Sequence, residues 1–164
     1  RGGIMLMSLT PRGDGSIDPQ EIEIMKGIGT WLNTNGEAIY GTRKWKVSSE
    51  GTAEMLKYVE RKKAYRWTFR ELGAADVRFT RSKDNTKLFA IVLGNPESGT
   101  YTIKCLNKDE KIATGGISKI SLVSTNEVVY WKQTKEGLTI EFPSQGINDI
   151  ANAFRIEIDG RLVY

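Results

Sequence analysis

Histidine is absent from this 164-residue sequence, cysteine occurs once and proline four times, and no charge of one sign dominates. Without histidine there is no serine-histidine or cysteine-histidine nucleophile, and most zinc sites are excluded as well. The single cysteine, Cys105, rules out an internal disulfide and lies in a strand-like run, Thr100-Tyr101-Thr102-Ile103-Lys104-Cys105-Leu106, where it reads as a packing thiol. No apolar run approaches the roughly 18 residues of a membrane span, and no signal-peptide pattern opens the chain. The 24 basic residues exceed the 20 acidic ones by only four, and the two signs are well mixed. Basic and aromatic residues interleave over 57–67, but no nucleic-acid motif accompanies them, so that stretch reads as a solvated surface and no nucleic-acid partner is expected.

What is present is ordinary globular material, 39% apolar and 27% charged, enough for one good core. Residues 4–9 form an apolar run broken only by Ser8. Lack of alternation predicts a strand covered on both faces, as in a parallel sheet. Pro11 and the Arg12-Gly13-Asp14-Gly15 tract then interrupt regular structure. Asp18-Pro19-Gln20-Glu21 supplies in order an N-cap, a first-turn proline and a capping-box glutamate, so a helix is predicted from Pro19. Ile24, Met25, Ile28, Trp31 and Leu32 recur at helical spacing, and Asn35-Gly36 offers a left-handed stop. Strand, loop and helix make half of a βα unit.

From about Lys46 the texture changes to short β-rich runs between turn residues. Val77-Arg78-Phe79-Thr80, the turn Lys83-Asp84-Asn85 and the run from Leu88 to Leu93 predict a hairpin ended by Gly94-Asn95-Pro96. Further strands are expected over 100–106, 117–123, 128–131, 138–142 and 154–158. Ahead of them, 53–58 reads as one or two helical turns and 65–69 as an edge strand. Seven or eight short strands predict a two-sheet antiparallel sandwich.

Two parts of the sequence carry a family resemblance. The stretch from Gly2 through Thr10-Pro11-Arg12-Gly13-Asp14-Gly15-Ser16-Ile17, with Trp31-Leu32 and Asn35-Gly36-Glu37-Ala38-Ile39-Tyr40-Gly41-Thr42, resembles the closing strand and helix of the catalytic barrel in alpha-L-fucosidases of glycoside hydrolase family 29. It departs from the usual pattern at Ile4 and Ser8, where the family has asparagines, at Thr10 before Pro11, where it has glycine, and at Lys44 before Trp45, where proline is common. The run from Asp76 to Thr80, continued to Leu93-Gly94, resembles the opening hairpin of the sandwich that follows that barrel. The resemblance implies a mainly β chain: the last βα unit of a truncated (β/α)8 barrel over 1–48, then a C-terminal β-sandwich over 49–164. A barrel needs roughly 250 residues, so the chain is expected to start inside one.

The resemblance also implies a function for the whole enzyme, retaining hydrolysis of terminal alpha-L-fucose from glycoconjugates without a metal or organic cofactor. Such chemistry needs two carboxylates about 5 to 5.5 Å apart, one a nucleophile and one an acid. The family keeps both on earlier barrel strands, upstream of Arg1. The acids present here are accounted for by local structure: Asp14 by a turn, Asp18 and Glu21 by capping, Glu37 by its position after a helix stop. No catalytic residue is assigned, and this chain alone is expected to be inactive. Because the loop after a barrel strand faces the mouth of the site, Thr10, Arg12 and Asp14 are candidates for the substrate rim. The implied partners are fucosylated glycans, met through the absent barrel, and that barrel itself. Localisation cannot be read from these residues; a periplasmic or secreted protein would carry a signal peptide upstream. The alternative is a non-catalytic carbohydrate-binding or structural β-sandwich module, for which Trp31, Trp45, Trp67 and Trp131 are the aromatics able to stack on sugar rings. Trp31 and Trp131 read as packing, Trp45 and Trp67 as freer.

Overall fold

A computed structural model describes residues 5–51, 59–61, 64–66 and 72–163, with the backbone alone at 59–61 and 64–66. Helix α1 (Pro19–Asn35) starts where the capping pattern puts it: Asp18 has extended backbone and its carboxylate accepts a hydrogen bond from the Gln20 amide at 2.9 Å. Glu21 does not close a capping box on Asp18; its carboxylate accepts from the amide of Thr10, at 3.2 Å. The expected left-handed stop at Asn35-Gly36 is not there. Gly36 keeps a right-handed φ of −59° and the chain tightens into a 3-10 turn over Gly36–Ala38, so reversal waits until Gly41 at φ +68°. A Cβ at Gly36 would lie 2.7 Å from Cε2 of the Tyr40 ring, so that exposed ring would have to swing aside.

The strand predicted over 4–9 does not form in residues 5–9. They carry no ladder and are exposed, Leu6 to 94%, and only a single bridge between Pro11 and Ile17 closes the loop behind them. A parallel strand needs hydrogen-bonding neighbours, and none of the described residues pairs with this one.

The β region is built as expected around two main antiparallel sheets, with a separate two-stranded pair. Strands β1 (Ser49–Glu50), β4 (Val77–Arg81), β5 (Lys87–Leu93), β7 (Ile117–Leu122) and β10 (Ala151–Ile158) form a five-stranded sheet in the order β1-β4-β5-β10-β7. Strands β6 (Thr100–Ile103), β8 (Trp131–Gln133) and β9 (Leu138–Glu141) form a second sheet, β6-β9-β8, and β2 (Val59–Arg61) pairs with β3 (Ala64–Arg66). The β4–β5 hairpin pairs Val77 with Val92 and Arg81 with Leu88. Its turn is held by Asp84, whose carboxylate accepts from the hydroxyls of Ser82 and Thr86 and from the Thr86 amide. These bonds, the Ser82 hydroxyl foremost, draw the Asp84 pKa down to about 2.

Two elements differ from expectation. The strand predicted over 100–106 ends at Ile103 and continues as a 3-10 turn (Lys104–Leu106). The strand expected over 128–131 begins only at Trp131, with Val128 reduced to an isolated bridge to Ser121. Of the predicted edge strand at 65–69, Tyr65 and Arg66 fall in β3; the remainder, and the helical turns expected at 53–58, lie outside the described residues.

Strand β5 shows why its apolar run is unbroken. Leu88, Ala90 and Val92 enter the main core between the sheets, while Phe89 and Ile91 enter a smaller core on the opposite face with Ala38, Val123, Ala151 and Ala153. Trp31 of α1 packs on that second core, and its indole N–H donates to the Ala151 carbonyl oxygen at 2.8 Å. Helix end, five-stranded sheet and three-stranded sheet therefore stack as three layers. The main core holds Phe79, Ile120, Leu138, Ile140, Phe154 and Ile156, with Trp45 edge-on to Phe79 at 5.3 Å. Each such side chain contributes about 1.5 to 3 kcal/mol on full burial.

Candidate functional site

The loop leading into α1 contains all three candidate rim residues. Its backbone closes through the Arg12 amide to the Ser16 carbonyl oxygen (2.7 Å) and the Gly15 amide to that of Arg12 (2.9 Å), with Gly15 in the left-handed region at φ +84°. Within this frame the three residues have separate partners. The Thr10 amide donates to Glu21, the Arg12 guanidinium to Asp18 Oδ2 at 2.6 Å, and Asp14 Oδ1 accepts from both the Ser16 amide (2.9 Å) and the Ser16 hydroxyl (2.7 Å). All three are exposed.

The electrostatics of this loop argue against acid catalysis by its carboxylates. The Ser16 hydroxyl and amide hold Asp14 below the usual carboxylate range, and the Arg12 guanidinium, then the Gln20 amide, do the same for Asp18. A general acid in glycoside hydrolysis needs the opposite shift. Among the described residues, no group of three or more His, Cys, Asp or Glu side chains could hold a metal ion.

A second polar centre forms where α1 gives way to the sheet. Glu37 accepts from Lys87 Nζ on β5 at 2.9 Å and from Arg155 Nη1 on β10 at 2.8 Å; Arg155 also donates to Asn126 at 3.0 Å and faces Glu157 at 3.4 Å. Partial burial opposes ionisation of Glu37, but the hydrogen bonds from Lys87 and Arg155 outweigh it and the pKa lies below the usual range. Beside it, Tyr40 stands 65% exposed over a cleft of about 330 Å³ bounded by Glu37, Thr42, Lys83, Asp84 and Lys87. Sequence reasoning accounted for Glu37 by its place after the helix and found neither partner. They lie 50 and 118 residues further on, beyond the reach of any local pattern.

A third cluster joins the two sheets. Glu50 on β1 accepts from the amides of Lys104 and Cys105, both at 2.6 Å, and so caps the 3-10 turn after β6. Burial, together with the Glu50 carboxylate alongside, pushes the Cys105 thiol well above its ordinary range, which disfavours the nucleophilic thiolate. Tyr101 is raised to about 12 by burial first and by Glu50 and Asp76 next, and its hydroxyl donates to the Ala75 carbonyl oxygen at 2.9 Å.

The tryptophans among the described residues do not make a sugar platform. Trp45 lies in the main core, Trp131 packs against it, and Trp31 is fixed on the second core. Trp45, read from the sequence as one of the freer tryptophans, is thus buried, and Trp67 lies outside the described residues. Among the described residues the exposed aromatics are Tyr40 and Tyr130.

Residues 70–158 match the family model described as alpha-L-fucosidase C-terminal domain, and residues 1–37 match the model described as alpha-L-fucosidase. An alpha-L-fucosidase of Branchiostoma floridae is 27% identical over 156 residues, which is 91% of this chain and 27% of that protein. Tissue alpha-L-fucosidase of Mus musculus is 31% identical, matching 87% of this chain and 25% of its own length. Among solved structures, the alpha-fucosidase of Thermotoga maritima in complex with a mechanism-based inhibitor superposes with a TM-score of 0.64 at 26% identity, covering 93% of this chain and 30% of that one. The chain spans about a quarter of the length of the curated relatives it matches. Family-model matches to both parts, that to the C-terminal domain spanning more than half of the chain, establish that the chain belongs to the alpha-L-fucosidase family, whose C-terminal domain it contains.

Proposed function

We propose that this chain is the C-terminal part of a retaining glycoside hydrolase that removes terminal alpha-L-fucose from glycoconjugates, and that it serves there as a structural support. The observation that carries the reading is the pair of consecutive family matches, 1–37 and 70–158, on one short chain. In this reading residues 1–48 supply the last strand and helix of the (β/α)8 barrel and 49–164 the sandwich. The nucleophile and the acid/base carboxylate belong to the rest of the barrel. The depressed pKa values of Asp14 and Asp18, and their commitment to turn and cap, support leaving both acids out of catalysis. Thr10, Arg12 and Asp14 stand on the loop that would face the barrel mouth, which makes them candidates for the substrate rim.

The test uses an aryl alpha-L-fucoside. The 164-residue chain releases no aryl alcohol, because proton transfer and nucleophilic attack both need groups it lacks. A longer protein containing it does. Turnover by the chain alone near that of the longer protein overturns the placement of the carboxylates, and an inert longer protein overturns the enzymatic reading. Replacing Arg12 with Ala in the longer protein raises KM more than it lowers kcat, and no change in either removes it from the rim.

A carbohydrate-binding role has one observation in its favour, the exposed Tyr40 ring beside Glu37, Asp84 and Lys87. Glu37 and Lys87 are already paired with each other, however, and Asp84 with its own turn. Titration with fucose, followed by calorimetry, therefore yields no saturable binding tighter than about 0.1 mM, or roughly 5.5 kcal/mol. Tighter binding lost on Tyr40→Ala would establish the module.

A further inference from the structure

One carboxylate, that of Asp18, performs two tasks. Oδ1 accepts from the Gln20 amide at 2.9 Å and caps α1, while Oδ2 accepts from Nη2 of Arg12 at 2.6 Å. The cap needs only the first oxygen. Asparagine caps a helix about as well as aspartate, so helix initiation leaves the second oxygen unexplained. Stability does not explain it either, because the two side chains are 54% and 41% exposed and solvent screens a pair so placed. Such a pair does restrict a long side chain that would otherwise sample many rotamers.

Arg12 is held at three points. Its amide donates to the Ser16 carbonyl oxygen at 2.7 Å, its own carbonyl oxygen accepts from the Gly15 amide at 2.9 Å, and its guanidinium is tied to Asp18. The flanks are fixed as well, by the bridge between Pro11 and Ile17 and by the Thr10 amide donating to Glu21 on the first turn of α1. Yet the side chain is not used up. A guanidinium has five N–H donors; one is spent on Asp18, and the other four have no partner among the described residues. Arg155 shows the contrast: it is 13% exposed and divides its guanidinium among Glu37, Asn126 and Glu157. Asp14 has no comparable reach, since Ser16 binds its Oδ1 within its own turn.

We propose that Asp18 is a positioning residue, which holds the Arg12 guanidinium in one orientation so that its remaining donors are presented to substrate hydroxyls at the barrel mouth. The inference rests on the functional reading above, which puts this loop at the rim. The residue that starts the helix thereby also aims the arginine, and loop and helix cannot shift independently. The Arg12 guanidinium, then the Gln20 amide, keep the Asp18 carboxyl below the usual range, so the pair persists in mildly acidic solution.

The test is Asp18→Asn, which keeps a capping oxygen and removes the charge that holds Arg12. In the 164-residue chain the amides of α1 stay as protected as before, while the heteronuclear NOE of the Arg12 Nε–H falls toward that of an unrestrained side chain. Unchanged order at Arg12 overturns the proposal. So does a loss of helix protection equal to that in Asp18→Ala, because Asp18 would then act on the helix alone. In a longer protein containing this chain, Asp18→Asn and Arg12→Ala each raise KM for an aryl alpha-L-fucoside by roughly three- to tenfold with kcat within about twofold, and the double variant is no worse than either single one. Additive losses in the double variant overturn the proposal. An active longer protein in which neither substitution moves KM also overturns it and leaves the enzymatic reading standing. An inactive longer protein, with Arg12 still loosened by Asp18→Asn, supports the aiming while the enzymatic reading fails.

Discussion

Residues 4–9 and strand β5 are nearly the same kind of sequence: short, apolar, without alternation, and ended by turn residues. Their fates are opposite. Leu88 is fully buried and every residue from Leu88 to Val92 is covered on its own face, whereas Leu6 stands 94% exposed on a segment with no ladder. The two runs differ in neighbours. Strand β5 lies between β4 and β10 and has a core on each side. An apolar run states how many faces must be covered, and only the rest of the fold decides whether the covers are present.

The largest effect expected from this comparison lies in the sandwich. Phe154 is fully buried in the main core and packs edge-on against Phe142 at 4.9 Å. Truncating it removes that burial and leaves a cavity between two sheets, each held by its own ladders. Phe154→Ala should cost about 3 to 5 kcal/mol in urea unfolding. A loss under about 1 kcal/mol would mean that the sheets collapse onto the space, and that the core is far less closely packed than its burial indicates.

The contrast also marks what was legible in the sequence. Strands β4, β5, β7, β9 and β10 follow from alternation and turn signals because each is local, and the helix start follows from Asp18-Pro19 for the same reason. The shift of the strand near 128–131 to Trp131–Gln133 was not legible, since Val128, Val129, Tyr130 and Trp131 are all good strand formers and only the register against β9 selects among them. The helix stop failed because Asn35-Gly36 satisfies the pattern for a left-handed cap, while Gly36 takes a right-handed φ and the chain runs on into a 3-10 turn. At the candidate rim, residue types alone identified a turn and could not show that Arg12 and Asp14 have different partners.

A second, smaller effect concerns the link between the sheets. Glu50→Ala leaves the amides of Lys104 and Cys105 without their short charge-assisted bonds and removes a tie between β1 and the turn after β6. The expected loss is about 2 kcal/mol, since solvent reaches the exposed Lys104 side of the turn and replaces part of what is removed. Amide exchange at Cys105 should accelerate more than at Ile120. Equal acceleration at both would mean that Glu50 acts on global stability only.

Smaller still is the contribution of Glu37, which ties the helix end to β5 and β10. The carboxylate is 39% exposed and its Lys87 partner 38%, so solvent screens the network and Glu37→Gln should cost about 1 kcal/mol near neutral pH. The folded-state pKa is depressed relative to the unfolded chain. Its contribution is therefore complete above the unfolded glutamate value of about 4.3 and is lost as pH falls through the lower folded value. Urea unfolding of both proteins between pH 7 and pH 3 should show the difference shrinking at the acid end. A gap that widens as pH falls would reverse the sign and exclude the ion pairs as its source.

The smallest effect belongs to the uncovered run. In the 164-residue chain Leu6 has almost no apolar contact to lose, so Leu6→Ala should change stability by no more than about 0.5 kcal/mol, the range of an ordinary surface substitution. The comparable run in β5 sets the scale: a Leu88→Ala change should cost about 2 to 5 kcal/mol. Amides of residues 5–9 should exchange at rates near those of an unstructured peptide, because no ladder protects them. If the segment instead belongs to a completed barrel, the same leucine in a longer protein containing this chain has neighbours on both edges and both faces. There Leu6→Ala should approach the cost of Leu88→Ala, and the amides should slow by orders of magnitude. Strong protection of residues 5–9 in the monomeric 164-residue chain would show that the run has found cover within its own fold, and would remove the contrast between the two runs.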